Sequence, residues 1–221
     1  MSPRAPRPDE EATTRGDTDF RRRLALIFLL GLALRVAYVL LVERGDPLSG
    51  DGVYYHEAAN LLADGLGFTE PYRYLHGGAQ ELLFVADPSS ITASANTALP
   101  VGHVEPTAGH PPLWVLVLGF SSMLGFTSVA AHQMLGALVG ALGVAAVGWA
   151  GRTLDGPRTG LIAAGLAAVH ACLWLSDGLV MSESLVVTGT ALLVGCAVRA
   201  QRSADNRWIL LLGLVGGLTA L

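Results

Sequence analysis

Lysine is missing altogether from this chain of 221 residues, and charge of either sign is scarce. Only 14% of residues are charged and 52% are hydrophobic, whereas a soluble domain is about one quarter charged. That leaves too little polar surface for a water-soluble globule. The fourteen basic residues, all arginine, face eighteen acids, for a formal net charge of −4. This balance excludes a basic nucleic-acid binder. The two cysteines, Cys172 and Cys196, lie inside apolar runs, which excludes a disulfide-stapled secreted scaffold. Metal-ligand spacings such as HExxH or paired CxxC do not occur, nor do Walker or dinucleotide glycine loops. No particular cofactor is therefore implied; a divalent metal ion stays open as an alternative, without a ligand spacing that indicates it. The composition is that of an integral membrane protein.

Residues 1–23 form a polar N-terminal tail. Its first twenty residues mix Pro, Arg, Asp, Glu and Thr with almost nothing large and apolar. Such a segment buries too little surface to offset its ordering entropy and is expected to be disordered. Arg21, Arg22 and Arg23 precede an apolar run over 24–42, broken only by Arg35. Nineteen residues can cross a bilayer core. A cleavable signal peptide would be shorter and end in a small-residue cleavage site. The triple arginine predicts a cytoplasmic N-terminus and an anchor whose C-terminal end lies outside. Arg35, inside that anchor, either snorkels to the surface or faces a polar cavity.

The polar stretch 43–112 carries nine acids and two arginines, and 113–151 carries no charged residue at all. Charge parity decides how many spans follow. If 113–126 crosses, Arg152, Arg158, Arg199, Arg202 and Arg207 fall outside; if it does not, all five fall inside. The positive-inside rule favours the second arrangement, and fourteen apolar residues are short for a crossing. The expected architecture is thus an all-α polytopic membrane protein with an outer loop over 43–128 bearing interfacial helices. Its spans fall near 24–42, 129–150, 159–175, 184–199 and 208–221. The last stops without a polar flank, as expected of the N-terminal part of a longer polytopic chain. Gly136, Gly140, Gly143 and Gly148 suit close helix packing in lipid.

Candidate chemistry collects on the outer side. Residues 51–65 read as a helix with Asp51 at a natural N-cap position and Gly65 supplying the left-handed C-terminal turn. Tyr54, Ala58, Leu61 and Leu62 share one face, so this helix can lie along the membrane surface. His110-Pro111-Pro112 opens a short interfacial helix, proline being tolerated in a first turn. His110 would project at the membrane boundary beside the Asp51 loop. A short second outer loop holds Asp177 and Glu183, the latter at the start of a span where the helix dipole favours acids. His132 and His170, alone in apolar runs, read as packing or hydrogen-bonded residues and not as metal ligands. On these residues alone, Asp51 as a cap and His110 as an interfacial histidine stand beside the catalytic alternative.

The ordered set Gly50-Asp51-Gly52-Val53-Tyr54-Tyr55, His110-Pro111-Pro112-Leu113, the turn 152–156 and Ser182-Glu183 covers most of residues 24–200. It resembles the GT-C superfamily of membrane glycosyltransferases, most closely the branch of protein O-mannosyltransferases and the lipid A aminoarabinose transferase. The resemblance implies a polyprenyl-phosphate-linked sugar donor, a lipid, glycan or protein acceptor, and a site on the extracytoplasmic face of the cell membrane. It implies Asp51 as the general base or acceptor-orienting acid, with Tyr54, Tyr55, His110 and Glu183 binding substrate. His110 stands where some relatives carry the lysine that helps hold the donor phosphate, and imidazole is only partly charged near neutral pH. Gly52 replaces a second acid of the mannosyltransferases. Two other classes compete: a transporter or flippase, which would place ionisable residues and broken helices near the midplane, and a non-catalytic membrane subunit.

Overall fold

The computed structural model describes residues 8–48, 50–77 and 101–221. Residues 1–7 of the expected tail and 78–100 of the expected outer loop lie outside the described residues. The described chain is all-helical, its one β feature being an isolated bridge between Thr69 and Pro106. Helix α1 (Pro8–Tyr38) runs into a π-helical turn (Val39–Glu43). Then come α2 (Asp51–Ala63), α3 (Pro71–His76), α4 (Pro112–Met123) and α5 (Val129–Asp155). The chain continues through α6 (Pro157–Val169), α7 (Ala171–Gly178), α8 (Glu183–Arg202) and α9 (Arg207–Ala220).

Among the described residues, three helical stretches are long and apolar enough to cross a membrane: Gly16–Glu43, Val129–Asp155 and Glu183–Arg202. Helices α6 and α7 make a fourth if taken together, though they bend by 51° at His170. The single straight span expected over 159–175 is therefore replaced by a helix pair bent at His170. His170 is not packed in an apolar run but is exposed at the break, with an extended backbone. Helix α4, at 12 residues, is about 18 Å long, short of a bilayer core of about 30 Å.

Two sequence expectations give way here. Residues 8–20 are helical, because α1 extends backward from its apolar half and needs no new nucleus. Ion pairs Arg21–Asp17 (2.9 Å) and Arg23–Asp19 (3.0 Å), each four residues apart, support this stretch. Asp177 lies in no loop: it is inside α7 with its side chain fully buried.

Helix α5 is the central element, packed by α1, α6 and α8. Gly148 and Gly160 let α5 and α6 approach so closely that a Cβ on Gly160 would lie 2.5 Å from the Gly148 carbonyl oxygen. Ala164, Ala167, Ala168 and Val144 form the core there, with Leu24 and Ile27 of α1 against them. A second core joins α2, α4 and the turn after α7 through Tyr54, Tyr55, Ala58, Trp114, Leu118 and Val180. The face expected to lie on the membrane surface is thus packed against α4 instead, where Leu62 meets Gly119. A neighbouring helix buries that apolar stripe as well as lipid would.

Arg152, Arg199, Arg202 and Arg207 gather at one end of this bundle. Arg152 pairs with Asp17 at 2.5 Å and covers the Phe20 ring at 4.3 Å. Arg202 donates to the carbonyls of Thr153 and Leu154 at 2.6 and 3.1 Å. Arg199 and Arg207 both lie over Trp208. At the other ends of α5 and α8 sit His132, Gln133, Ser182 and Glu183.

Candidate functional site

The site assembles where α2 and α4 begin. Gly50, in the left-handed half of backbone space at φ 55°, takes the N-cap position of α2. Asp51 is consequently the first helical residue, not the cap, and its carboxylate turns outward. His110 approaches from the other side. Pro111 after it disfavours helical backbone at His110, and Pro112 then starts α4. The segment leading to His110 is tied down by Glu70 N–H to the Glu105 carbonyl (2.8 Å) and Thr107 N–H to the Phe68 carbonyl (2.9 Å). Arg73 adds an ion pair to Glu105 at 3.0 Å.

These anchors bring His110 Nε2 to 3.2 Å from Asp51 Oδ1. The imidazole stacks on Tyr54, with centroids 3.9 Å apart, and meets the edge of Tyr55 at 5.3 Å. Its other nitrogen, Nδ1, is buried without a hydrogen-bond partner. Asp51 stays 57% exposed, so one face of its carboxylate is open to a ligand. Tyr54 donates to Thr107 Oγ1 at 3.4 Å, and Tyr55 to Ser182 Oγ at 3.1 Å.

Both phenols are held in the neutral form. Burial pushes Tyr54 up from the ordinary tyrosine value, with the Glu70 charge adding to it and the Thr107 bond opposing. Burial likewise pushes Tyr55 up, and the negative charges of Asp51 and Glu183 add to that while the Ser182 bond opposes. Glu183 is exposed at the first turn of α8, next to Ser182. So Asp51, Tyr54, Tyr55 and His110 touch as one cluster, whereas Glu183 reaches it by charge and through the neighbouring serine. Among the described residues, no three His, Cys, Asp or Glu side chains come together as a metal site would require.

Beside the cluster, between α4, α8 and α9, opens an apolar cavity of about 230 Å³. Pro111 and Ser182 lie at its edge, with Trp114, Leu185, Leu192 and Leu218 along its walls. Pro111 follows His110 directly and Ser182 precedes Glu183, so the cavity borders the polar cluster.

The Ser182 and Thr107 partners, which single-residue reasoning missed, come from segments far apart in the chain. Ser182 stands in the Ser182-Glu183 motif, but nothing local pairs it with Tyr55 or Thr107 with Tyr54. The same is true of a buried pair behind the site. Arg35 Nε bonds Asp177 Oδ2 at 2.5 Å, Arg35 also donates to the Gly31 carbonyl at 3.1 Å, and Ser184 donates to the other Asp177 oxygen. Arg35 thus faces a protein partner and does not snorkel. No family model, curated protein or solved structure matches this chain.

Proposed function

We propose that this chain carries the outer-face site of a membrane glycosyltransferase that moves a sugar from a polyprenyl-phosphate carrier to an acceptor hydroxyl. The observation that carries this reading is the Asp51–His110 contact at 3.2 Å, beside an apolar cavity and built from segments that the family resemblance singles out separately. An ionised carboxylate within hydrogen-bond reach can take the proton of an attacking hydroxyl. Asp51 Oδ1 is engaged by His110, and the exposed remainder of the carboxylate faces the acceptor. The His110 imidazole, fixed to Asp51 through Nε2, would stand on the side of the departing lipid phosphate, where negative charge grows. Tyr54 and Tyr55, buried and kept neutral, hold the His110 ring by stacking and edge contact.

Asp51→Asn keeps the shape and a hydrogen bond to His110 but cannot accept the proton. In full-length protein reconstituted in lipid, it should lower the transfer rate by about 10²- to 10⁴-fold, with membrane insertion unchanged. Transfer at the parental rate would remove Asp51 from the mechanism. His110→Ala should instead weaken donor use, read as a raised donor KM.

One observation favours a transporter: the bend at His170 together with the buried Arg35–Asp177 pair puts a broken helix and two ionisable groups inside the bundle. The two charges neutralise each other, and a Cβ on Gly140 would collide with the Asp177 carboxylate, so the pair has little room for a moving substrate. Lipid or solute flux across vesicles without any group transfer would support the transporter.

A further inference from the structure

Four polar side chains close a ring where α2 meets α4 and α5. His56 Nδ1 lies 3.0 Å from His132 Nδ1, and His132 Nε2 lies 3.0 Å from Ser122 Oγ. Ser122 donates to Asn60 Oδ1 at 2.7 Å, and Asn60 Nδ2 lies 3.4 Å from His56 Nε2. His132 is fully buried and Ser122 is 5% exposed.

Two imidazole nitrogens facing each other at 3.0 Å need one proton between them, and the rest of the ring decides where it sits. Asn60 Nδ2 also donates to the Thr127 carbonyl at 3.1 Å. A carbonyl only accepts, so the amide nitrogen must be on that side and the amide oxygen toward Ser122. The Ser122 proton therefore goes to Asn60, and Ser122 Oγ accepts from His132 Nε2–H. The second Asn60 N–H points at His56 Nε2, which must be an acceptor. His56 consequently carries its proton on Nδ1 and donates it to the His132 Nδ1 lone pair. Every proton is used once, with both imidazoles neutral. One more proton on either ring would set two N–H groups face to face.

The ring joins the middle and last turns of α2 to the last turn of α4, the two helices whose first turns bring the site together. α2 starts at Asp51 and holds His56 and Asn60; α4 starts two residues after His110 and holds Ser122. We propose that this one-directional ring is the positioning device of the site: neutral His56 with Nδ1–H and neutral His132 with Nε2–H clamp α2 to α4 and α5, holding Asp51 in register with His110. His56, Asn60, Ser122 and His132 are then positioning residues. Their effect on transfer rests on the Asp51–His110 reading above, while the tautomers do not.

The test uses the full chain in lipid nanodiscs with nitrogen-15 histidine. At neutral pH, imidazole nitrogen shifts should show one neutral Nδ1–H ring, lost in His56→Phe, and a neutral Nε2–H ring at His132. A cationic ring at either position, or His56 protonated on Nε2, overturns the proposal. In transfer assays His56→Phe, which fills the space without the hydrogen bonds, should lower kcat by about 100-fold, the cost of misplacing a reacting group by about an ångström. Donor KM should stay close to the parent's, and His56→Asn, which keeps a donor toward His132, should recover most of the rate. A parental kcat in His56→Phe overturns the positioning role. Should His56→Phe fail to fold, the same kinetic split is read in Ser122→Ala, where an unchanged kcat overturns the role. An unmutated chain with no transfer activity removes the glycosyl-transfer reading, and the tautomers still decide the ring.

Discussion

Arg35 and Asp177 are 142 positions apart, and each is about 1% exposed. Taking two charges out of water costs several kcal/mol each, and their attraction repays it only when the remaining polar atoms are also satisfied. Here Gly31 and Ser184 provide those bonds, and Gly140 provides the room. Breaking such a pair from one side leaves a bare buried charge. Asp177→Ala should therefore destabilise the protein by about 3–5 kcal/mol, whereas Arg35→Leu combined with Asp177→Leu should cost far less. Thermal melts in detergent measure both. A double variant as unstable as the single one would mean that the charges themselves, and not the loss of one partner, matter. The pair also has consequences for the site: Asp177 leads into the turn whose Val180 carbonyl accepts from Trp114 Nε1 at 2.9 Å and whose Ser182 holds Tyr55.

At the level of elements, α2 is the part whose docking responds to pH. Burial pushes His56 below its ordinary value, so on acidification the unfolded chain takes up a proton at a higher pH than the folded one does. Stability then rises with pH across the interval between the two values. The His56 contribution is complete above the unfolded value of about 6.5, and it is lost as pH falls through the lower folded one. His132 is the imidazole facing it, and the nearby Glu57 is engaged with His76 at 3.2 Å. Amide hydrogen exchange in α2 should accelerate as pH is lowered from neutrality, after correction for intrinsic rates. In His56→Phe that acceleration should largely vanish. An α2 whose corrected exchange ignores pH would show that the ring is not what holds it.

For the whole molecule, the arginine-rich end and the Asp51 end are opposite poles of one bundle. From the arginine distribution we propose that the first pole faces the cytoplasm. Ala108→Cys, near the exposed rim, should react with an impermeant thiol reagent applied from outside intact cells, and Arg158→Cys should not. Labelling of Arg158→Cys from outside would reverse or break this topology. Ser89, another natural probe of the outer loop, lies outside the described residues.

The apolar runs, the lone arginines and the proline and glycine punctuation were sufficient to read an all-helical membrane protein, because hydrophobic length and helix-breaking are local properties of a chain. They placed helix starts near Asp51, Pro112, Val129 and Glu183, and Gly65 does take the left-handed turn at φ 85°. They also marked α4 as too short to cross. What they missed depends on partners remote in sequence. Asp177 looks like a loop acid until Arg35 of α1 is packed against it, and the face of α2 looks lipid-bound until α4 covers it. His56, Asn60, Ser122 and His132 are each unremarkable in the sequence, since a hydrogen-bonded ring has no period and no spacing. The Asp51–His110 contact likewise spans two segments whose meeting is decided by the strap of bonds from Glu70 and Phe68 to the segment before His110. Local patterning determined where the long apolar helices lie; only close packing of the helices decided which polar side chains could find one another.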